Sequence, residues 1–201
     1  MNMWVYLFRH GQTARNAAGR YVGSTDEPLC PLGVETARAA GSDPAVREVL
    51  VSPLRRTQMT AAILFPKAEQ RICTGLREMT FGDFEGRSAQ EMADDPDYRY
   101  WVEQTQCMGP CPHGDATMVF QHRVCAAFRR EVDEAQAAGQ ERLYFVIHGG
   151  AIMSIMHRFA RPEAPYYSWL LQNCQGYCCR VSLNAEGLTL TDVRRLERVS
   201  P

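Results

Sequence analysis

The chain has 201 residues, 45% of them hydrophobic, which is enough to bury the core of one domain of ordinary size. Its 22 Lys and Arg stand against 23 Asp and Glu, a net charge of -1, so no global field draws it to nucleic acid or to an anionic membrane surface. No apolar run approaches a bilayer span, and the N-terminus shows no basic region followed by a cleavage site, so the expectation is a cytoplasmic protein with no membrane partner.

Met3–Phe8 is rich in aromatic and β-branched residues and reads as a strand. Gly33–Ala40 reads as a short helix stopped by Gly41 and Pro44, and Val46–Val51 as a second strand. Leu54–Phe65 is a predicted helix with Ser52 as its N-cap, Pro53 at its first position and Pro66 beyond its end. Gln70–Cys73 is a short third strand. Residues 74–114 are irregular and polar, with short helices expected near Ala89–Ala93 and Tyr98–Glu103. In Asp115–Ala138, Val124, Phe128, Val132 and Ala135 recur at helical spacing. Arg142–Ile147 reads as a buried strand and Ala151–Phe159 as a helix. Tyr177–Leu183 and Leu188–Arg194 read as strands joined through Asn184-Ala185-Glu186-Gly187. Strands alternating with helices imply an α/β fold with a mostly parallel central sheet between helical layers, α/β/α. No repeat or linker divides the chain, so residues 1–201 are expected to form a single domain with a lid-like insertion at about 79–114.

The eight cysteines admit a disulfide framework, a metal site or reduced thiols. Neither Cys107-x-x-x-Cys111-x-His113 nor Cys174-x-x-x-Cys178-Cys179 has zinc-knuckle spacing, so they read as small hydrophobes, with no metal and no cofactor expected.

Ligands in open α/β sheets bind at the carboxyl ends of strands. Two strands deliver a histidine there followed by glycine: Arg9-His10-Gly11 and His148-Gly149-Gly150. The second strand leads into Ser52-Pro53-Leu54-Arg55-Arg56, and the third into Leu76-Arg77-Glu78. Arg9, His10, Arg56, Glu78 and His148 therefore converge on one sheet edge. Two guanidiniums neutralise a phosphate dianion. One neutral imidazole attacks phosphorus, a second and protonated imidazole holds an equatorial oxygen, and a carboxylic acid protonates the leaving group. Arginines here replace the metal ions common in phosphoryl transfer.

These blocks resemble the histidine phosphatase superfamily, which includes cofactor-dependent phosphoglycerate mutases and alpha-ribazole phosphatases. The resemblance runs in order through Arg9-His10-Gly11-Gln12-Thr13, Gly23-x-x-Asp26-x-Pro28-Leu29-x-x-x-Gly33, Ser52-Pro53-Leu54-x-Arg56-x-x-x-Thr60-Ala61, Leu76-Arg77-Glu78-Met79-x-Phe81-Gly82-x-Phe84-Glu85-Gly86 and His148-Gly149-Gly150. It implies a phosphoglycerate mutase-like fold and a phosphatase acting on a small-molecule phosphate ester, with alpha-ribazole 5'-phosphate as a substrate of the most similar branch. The alternatives are mutase activity and a catalytically idle phospho-ligand-binding domain; the chain is expected to be a monomer or homodimer. It also implies His10 as the phosphorylated nucleophile, Arg9, Arg56 and His148 around the phosphate, and Glu78 as proton donor. Asn16 and the Gly149 backbone N–H would add phosphate hydrogen bonds, and Gly23 and Ser24 would lie near the organic part. The chain departs from that pattern at Asp115-Ala116, where Glu-Ser is common, and at Met153, where arginine is common. Arg20 is read either as a substrate contact or as a partner of Asp26, and the loop bearing His113 as one within reach of the site.

Overall fold

Alternate residues of each central strand enter two different cores, which is what a sheet buried on both faces requires. The computed structural model describes residues 3–184 and 187–199. Its strands are β1 (Met3–Arg9), β2 (Glu48–Val51), β3 (Glu69–Ile72), β4 (Arg142–Ile147), β5 (Gly176–Asn184) and β6 (Gly187–Leu196). Its helices are α1 (Ala14–Ala17), α2 (Pro31–Ala39), α3 (Arg55–Leu64), α4 (Pro96–Arg99), α5 (Thr117–Ala137) and α6 (Gly149–Phe159). One sheet face sends Val5, Leu7, Leu50, Phe145 and Ile147 into a core shared with α5 and α6. The other sends Phe8, Val49, Val51 and Val146 against Ala37 of α2 and against Ala61 and Leu64 of α3. The result is the expected three-layer arrangement.

The strand order is β3-β2-β4-β1-β5-β6. β2 pairs in parallel with β3 and β4, and β4 with β1, whereas β5 runs antiparallel to both β1 and β6. Only β5 is reversed, so the sheet is mostly parallel. The turn expected to join the last two strands passes through Ala185 and Glu186, which lie outside the described residues.

Several element boundaries differ from the sequence reading, each for a local reason. α2 starts two residues earlier than expected because the Cys30 thiol caps it, with Pro31 at its first position. α3 starts later: Leu54 is the N-cap residue, and the Ser52 hydroxyl is drawn elsewhere. α5 begins at Thr117, because Asp115 is held in a backbone and side-chain pairing with Thr80. α6 includes Gly149 and Gly150, whose missing side chains make room for the neighbours described below. The helix expected near Ala89–Ala93 is a series of turns, and the next one is α4 running into a π-helical turn, Tyr100–Gln104. Within this irregular segment Phe84, Met92, Tyr98, Trp101 and Cys111 are buried in the α5–α6 core, while Tyr100 is exposed.

Candidate active site

β1 and β4 are neighbours with Arg9 opposite Ile147, so the residues that follow, His10 and His148, leave the sheet side by side. The His10 N–H donates to the Ile147 carbonyl at 2.9 Å. The chain after β1 goes to α2 on one face and the chain after β4 goes to α6 on the other, which opens a crevice between the two strand ends. The imidazoles sit edge to face across it, with ring centroids 5.1 Å apart.

His10 is nearly fully buried, and its Nδ1 lies 2.7 Å from the Gly11 carbonyl oxygen. A carbonyl only accepts, so Nδ1 carries the proton and Nε2 keeps its lone pair. Burial first, then Arg56 and Arg9, hold the His10 pKa well below its ordinary value, so the ring is neutral at neutral pH. The loop is pinned from behind: the Gly11 N–H donates to Thr60 Oγ1 at 2.8 Å, and Asn173 Nδ2 donates to the His10 carbonyl at 2.8 Å.

Arg56 is fully buried in the first turn of α3. Its terminal nitrogens donate to the Thr25 and Gly23 carbonyls at 2.7 and 2.8 Å, so the guanidinium is fixed by backbone and makes no ion pair among the described residues. Arg9 Nη1 donates to the Leu171 carbonyl at 2.5 Å. His148 Nε2 lies 2.8 Å from the Ser52 hydroxyl, which satisfies the ring in either protonation state by turning. The sequence reading expected this second histidine to be protonated. Burial, then Arg56, His10 and Arg9, instead place its pKa well below the ordinary value, so it stays neutral until an anion comes alongside.

Glu78 closes the site. It accepts from the Met79 N–H and the Gly150 N–H, both at 3.0 Å. Burial pushes its pKa up, and those two bonds together with Arg56 and Arg9 pull it back down. A Cβ on residue 150 would stand 2.5 Å from Glu78 Oε1, so a side chain there would push the carboxylate from this position.

A cavity of about 370 Å³ begins at Glu78 and Gly150 and extends along Met153, Tyr166 and the irregular segment. Met153 forms part of its wall, while Asp115 is tied to Thr80 and faces Arg123 at 3.6 Å.

The remaining sequence-named residues are distributed differently. Gly149 opens α6, and a Cβ there would stand 3.3 Å from Arg9 Nε, which locates its backbone beside the guanidinium. Asn16 Oδ1 accepts from the Thr13 N–H at 3.3 Å in the capping box of α1, which leaves its amide nitrogen for other partners. Gly23 packs so tightly that a Cβ would stand 1.8 Å from the Met79 carbonyl oxygen, and its own carbonyl holds Arg56. Ser24 is exposed. Arg20 pairs with Glu91 and the Gly86 carbonyl rather than with Asp26, which accepts from the Arg55 N–H. His113 pairs with Asp83 on the surface, away from the site. Ser52, Thr60 and Asn173 support the site; the sequence reading gives Ser52 only a helix-capping role and gives Thr60 and Asn173 none in the site. Ser52 and Thr60 lay inside the second arginine block, whereas Asn173 lay beyond every block.

Five buried side-chain nitrogens have no hydrogen-bond partner among the described residues, and three of them are Arg9 Nε, Arg56 Nε and His148 Nδ1. Such groups cost roughly 1–3 kcal/mol each when unsatisfied. These three lie around one crevice, where an anion's oxygens could satisfy them.

Comparison with known proteins agrees with this geometry. The family model of the histidine phosphatase superfamily (branch 1) matches residues 5–194. The adenosylcobalamin/alpha-ribazole phosphatase of Salmonella typhimurium is 27% identical over 205 residues, covering 94% of this chain and 98% of that protein. A protein of Yersinia pestis named as a probable phosphoglycerate mutase is 33% identical over 105 residues, 50% of this chain and 48% of that one. The crystal structure of the alpha-ribazole phosphatase from Shigella flexneri superposes with a TM-score of 0.76 at 25% identity, covering 98% of this chain and 97% of that one. With its crevice between β1 and β4 and a model match along nearly its whole length, the chain belongs to the histidine phosphatase superfamily.

Proposed function

We propose that the chain is a phosphomonoesterase that hydrolyses a small-molecule phosphate ester through a phosphohistidine at His10. The observation that carries this reading is the gathering of the unpartnered Arg9, Arg56 and His148 nitrogens around a neutral imidazole whose Nε2 is free. A phosphate dianion satisfies those donors and supplies the negative charge that lets His148 take up a proton.

The chemistry then follows in two displacements. His10 Nε2 attacks phosphorus, the ester P–O bond breaks, and the departing oxygen takes the proton from the Glu78 carboxylic acid. Glu78, now a carboxylate, takes a proton from a water molecule, whose oxygen attacks the phosphohistidine; the P–N bond breaks and inorganic phosphate leaves. Arg9, Arg56 and protonated His148 hold the equatorial oxygens through both steps, as groups fixed before the reaction begins. The backbone N–H of Gly149 and the Asn16 amide add hydrogen bonds to the same oxygens. Gly23 and Ser24 border the organic part, with Gly23 acting chiefly through its grip on Arg56.

The likeness to alpha-ribazole phosphatases along nearly the full chain makes alpha-ribazole 5'-phosphate the first ester to try. The test is phosphate release from a panel of monoesters that includes it, together with 3-phosphoglycerate scored for both hydrolysis and isomerisation, with His10→Ala as control. Phosphate release lost in the variant supports the reading. Isomerisation without release assigns a mutase, and turnover that persists in His10→Ala removes the nucleophile.

A further inference from the structure

In-line displacement dictates where the leaving group lies. The oxygen that departs stands opposite His10 Nε2 across phosphorus, and its proton comes from Glu78. Glu78 is part of the wall of the 370 Å³ cavity, so the alcohol part of the ester would project past Glu78 into that space. The chemistry of the walls therefore selects the alcohol.

Six aromatic rings face the cavity: Tyr21, Phe81, Trp101, Phe120, Tyr166 and Tyr167. Met153 and Cys107 fill the intervals between them. Three of the wall's hydroxyl groups are used in the protein: Tyr21 bonds Tyr98 at 3.0 Å, Tyr166 donates to the Gly150 carbonyl at 3.3 Å, and Thr117 donates to the Cys107 carbonyl at 2.7 Å. What remains on view is ring faces and edges. Tyr21 stands 5.0 Å from Phe81 and 5.9 Å from Trp101, centroid to centroid, and Tyr166 stands 5.1 Å from Tyr167. Among the described lining residues Glu78 is the one carboxyl group, and the walls hold no Lys or Arg. A carboxylate or second phosphate on the alcohol would lose its water against a wall that offers it no guanidinium, which is costly: Arg123, over the Phe120 ring, is already taken by the Gly75, Arg77 and Glu78 carbonyls and by Asp115. A flat apolar group gains from burial and from edge-to-face contact.

Building on the phosphatase reading, we infer that this cavity is the leaving-group chamber and that it selects monoesters whose alcohol carries an uncharged aromatic or similarly flat apolar group. Met153 and Tyr167 set that preference: Met153 withholds a cation from the wall, and Tyr167 supplies a half-exposed ring to it.

The experiment separates binding from turnover. Calorimetry with the full chain measures benzylphosphonate, ethylphosphonate and 2-carboxyethylphosphonate, none of which can be hydrolysed. Benzylphosphonate is expected to bind about 50-fold tighter than ethylphosphonate, and the carboxyethyl compound weaker than either. Met153→Arg should reverse the order of the ethyl and carboxyethyl compounds, with Met153→Gln as a smaller perturbation if the arginine does not fold. Tyr167→Ser should cut the benzyl advantage about fivefold. Benzyl phosphate and O-phosphoserine, whose leaving alcohols are both alkyl, repeat the comparison in kcat/KM. Equal binding of the benzyl and ethyl compounds, or a preference for the carboxylate, overturns the chamber even if every ester is hydrolysed. A benzyl preference in binding with no hydrolysis of any ester leaves the chamber standing and removes the phosphatase reading.

Discussion

The phosphate crevice and the aromatic chamber meet at Glu78 but are built in opposite ways. The crevice is assembled from strand ends, its side chains are charged or ionisable, and it leaves buried donors without partners. The chamber is assembled largely from the irregular segment before α5 and the turn at Tyr166–Trp169, and its polar atoms are satisfied within the protein. On the proposed reading the first region holds a group common to all phosphate esters, so it has one solution. The second would meet the part that differs between esters, so it has many. Changes to the crevice should therefore act on every ester alike, and changes to the chamber should sort esters from one another.

Glu78→Gln tests the boundary and should give the largest effect after loss of His10. With no acid to protonate the departing oxygen, kcat for alkyl phosphates should fall by about 10²–10⁴. p-Nitrophenyl phosphate, whose leaving group departs as a stable anion, should lose far less. An equal loss for both esters would make Glu78 a structural group and erase the boundary between the regions.

The pH profile comes next. Burial and the two arginines lower the His10 pKa, so protonation of the nucleophile is displaced to the acid side of the usual histidine range. At saturating substrate, kcat should not decline as pH falls through 6.5. Glu78 is shifted the other way, upward from the usual carboxylate value, so the acid form persists as the medium becomes less acidic and kcat should decline once Glu78 ionises. A loss of kcat centred near 6.5 on the acid side would show an ordinary, solvated histidine.

Ser52→Ala removes the hydroxyl that holds His148 Nε2. Loss of this bond, together with the hydroxyl's bonds to Thr57 and Leu54, should lower kcat/KM about tenfold for every ester alike. A selective loss for aromatic esters would contradict a crevice role. The smallest expected effect is Thr60→Val, which keeps the volume and strands the Gly11 N–H; unfolding in urea should show a loss of about 1–3 kcal/mol.

The same contrast explains what the sequence disclosed. The strand-helix alternation predicted the layers and the mostly parallel sheet, because burial on both faces leaves continuous apolar runs such as Leu143–Ile147. His10 and His148 were legible because strand, histidine and glycine are adjacent in the chain. Local rules rank a helix cap first for the Ser52 hydroxyl; it does bond Leu54 and Thr57 nearby, but it also reaches His148, 96 residues away, which no local rule could show. Asn173 reaches the His10 carbonyl across 163 residues and left no local signal. The chamber was opaque for a related reason: rings from Tyr21 to Tyr167 share no periodicity, and α4 with its π-helical turn follows no simple apolar spacing. The helix-breaking glycines at 149 and 150 concealed the start of α6, since their value lies in what Arg9 and Glu78 need nearby rather than in helix propensity.

The most direct measurement is to stop turnover of a monoester in alkali, which preserves phosphohistidine, and locate the phosphoryl group by peptide mass spectrometry. The account predicts the group on the peptide bearing His10, present during turnover and absent in His10→Ala. Turnover with no phosphorylated His10, or the phosphoryl group on another side chain, would contradict it.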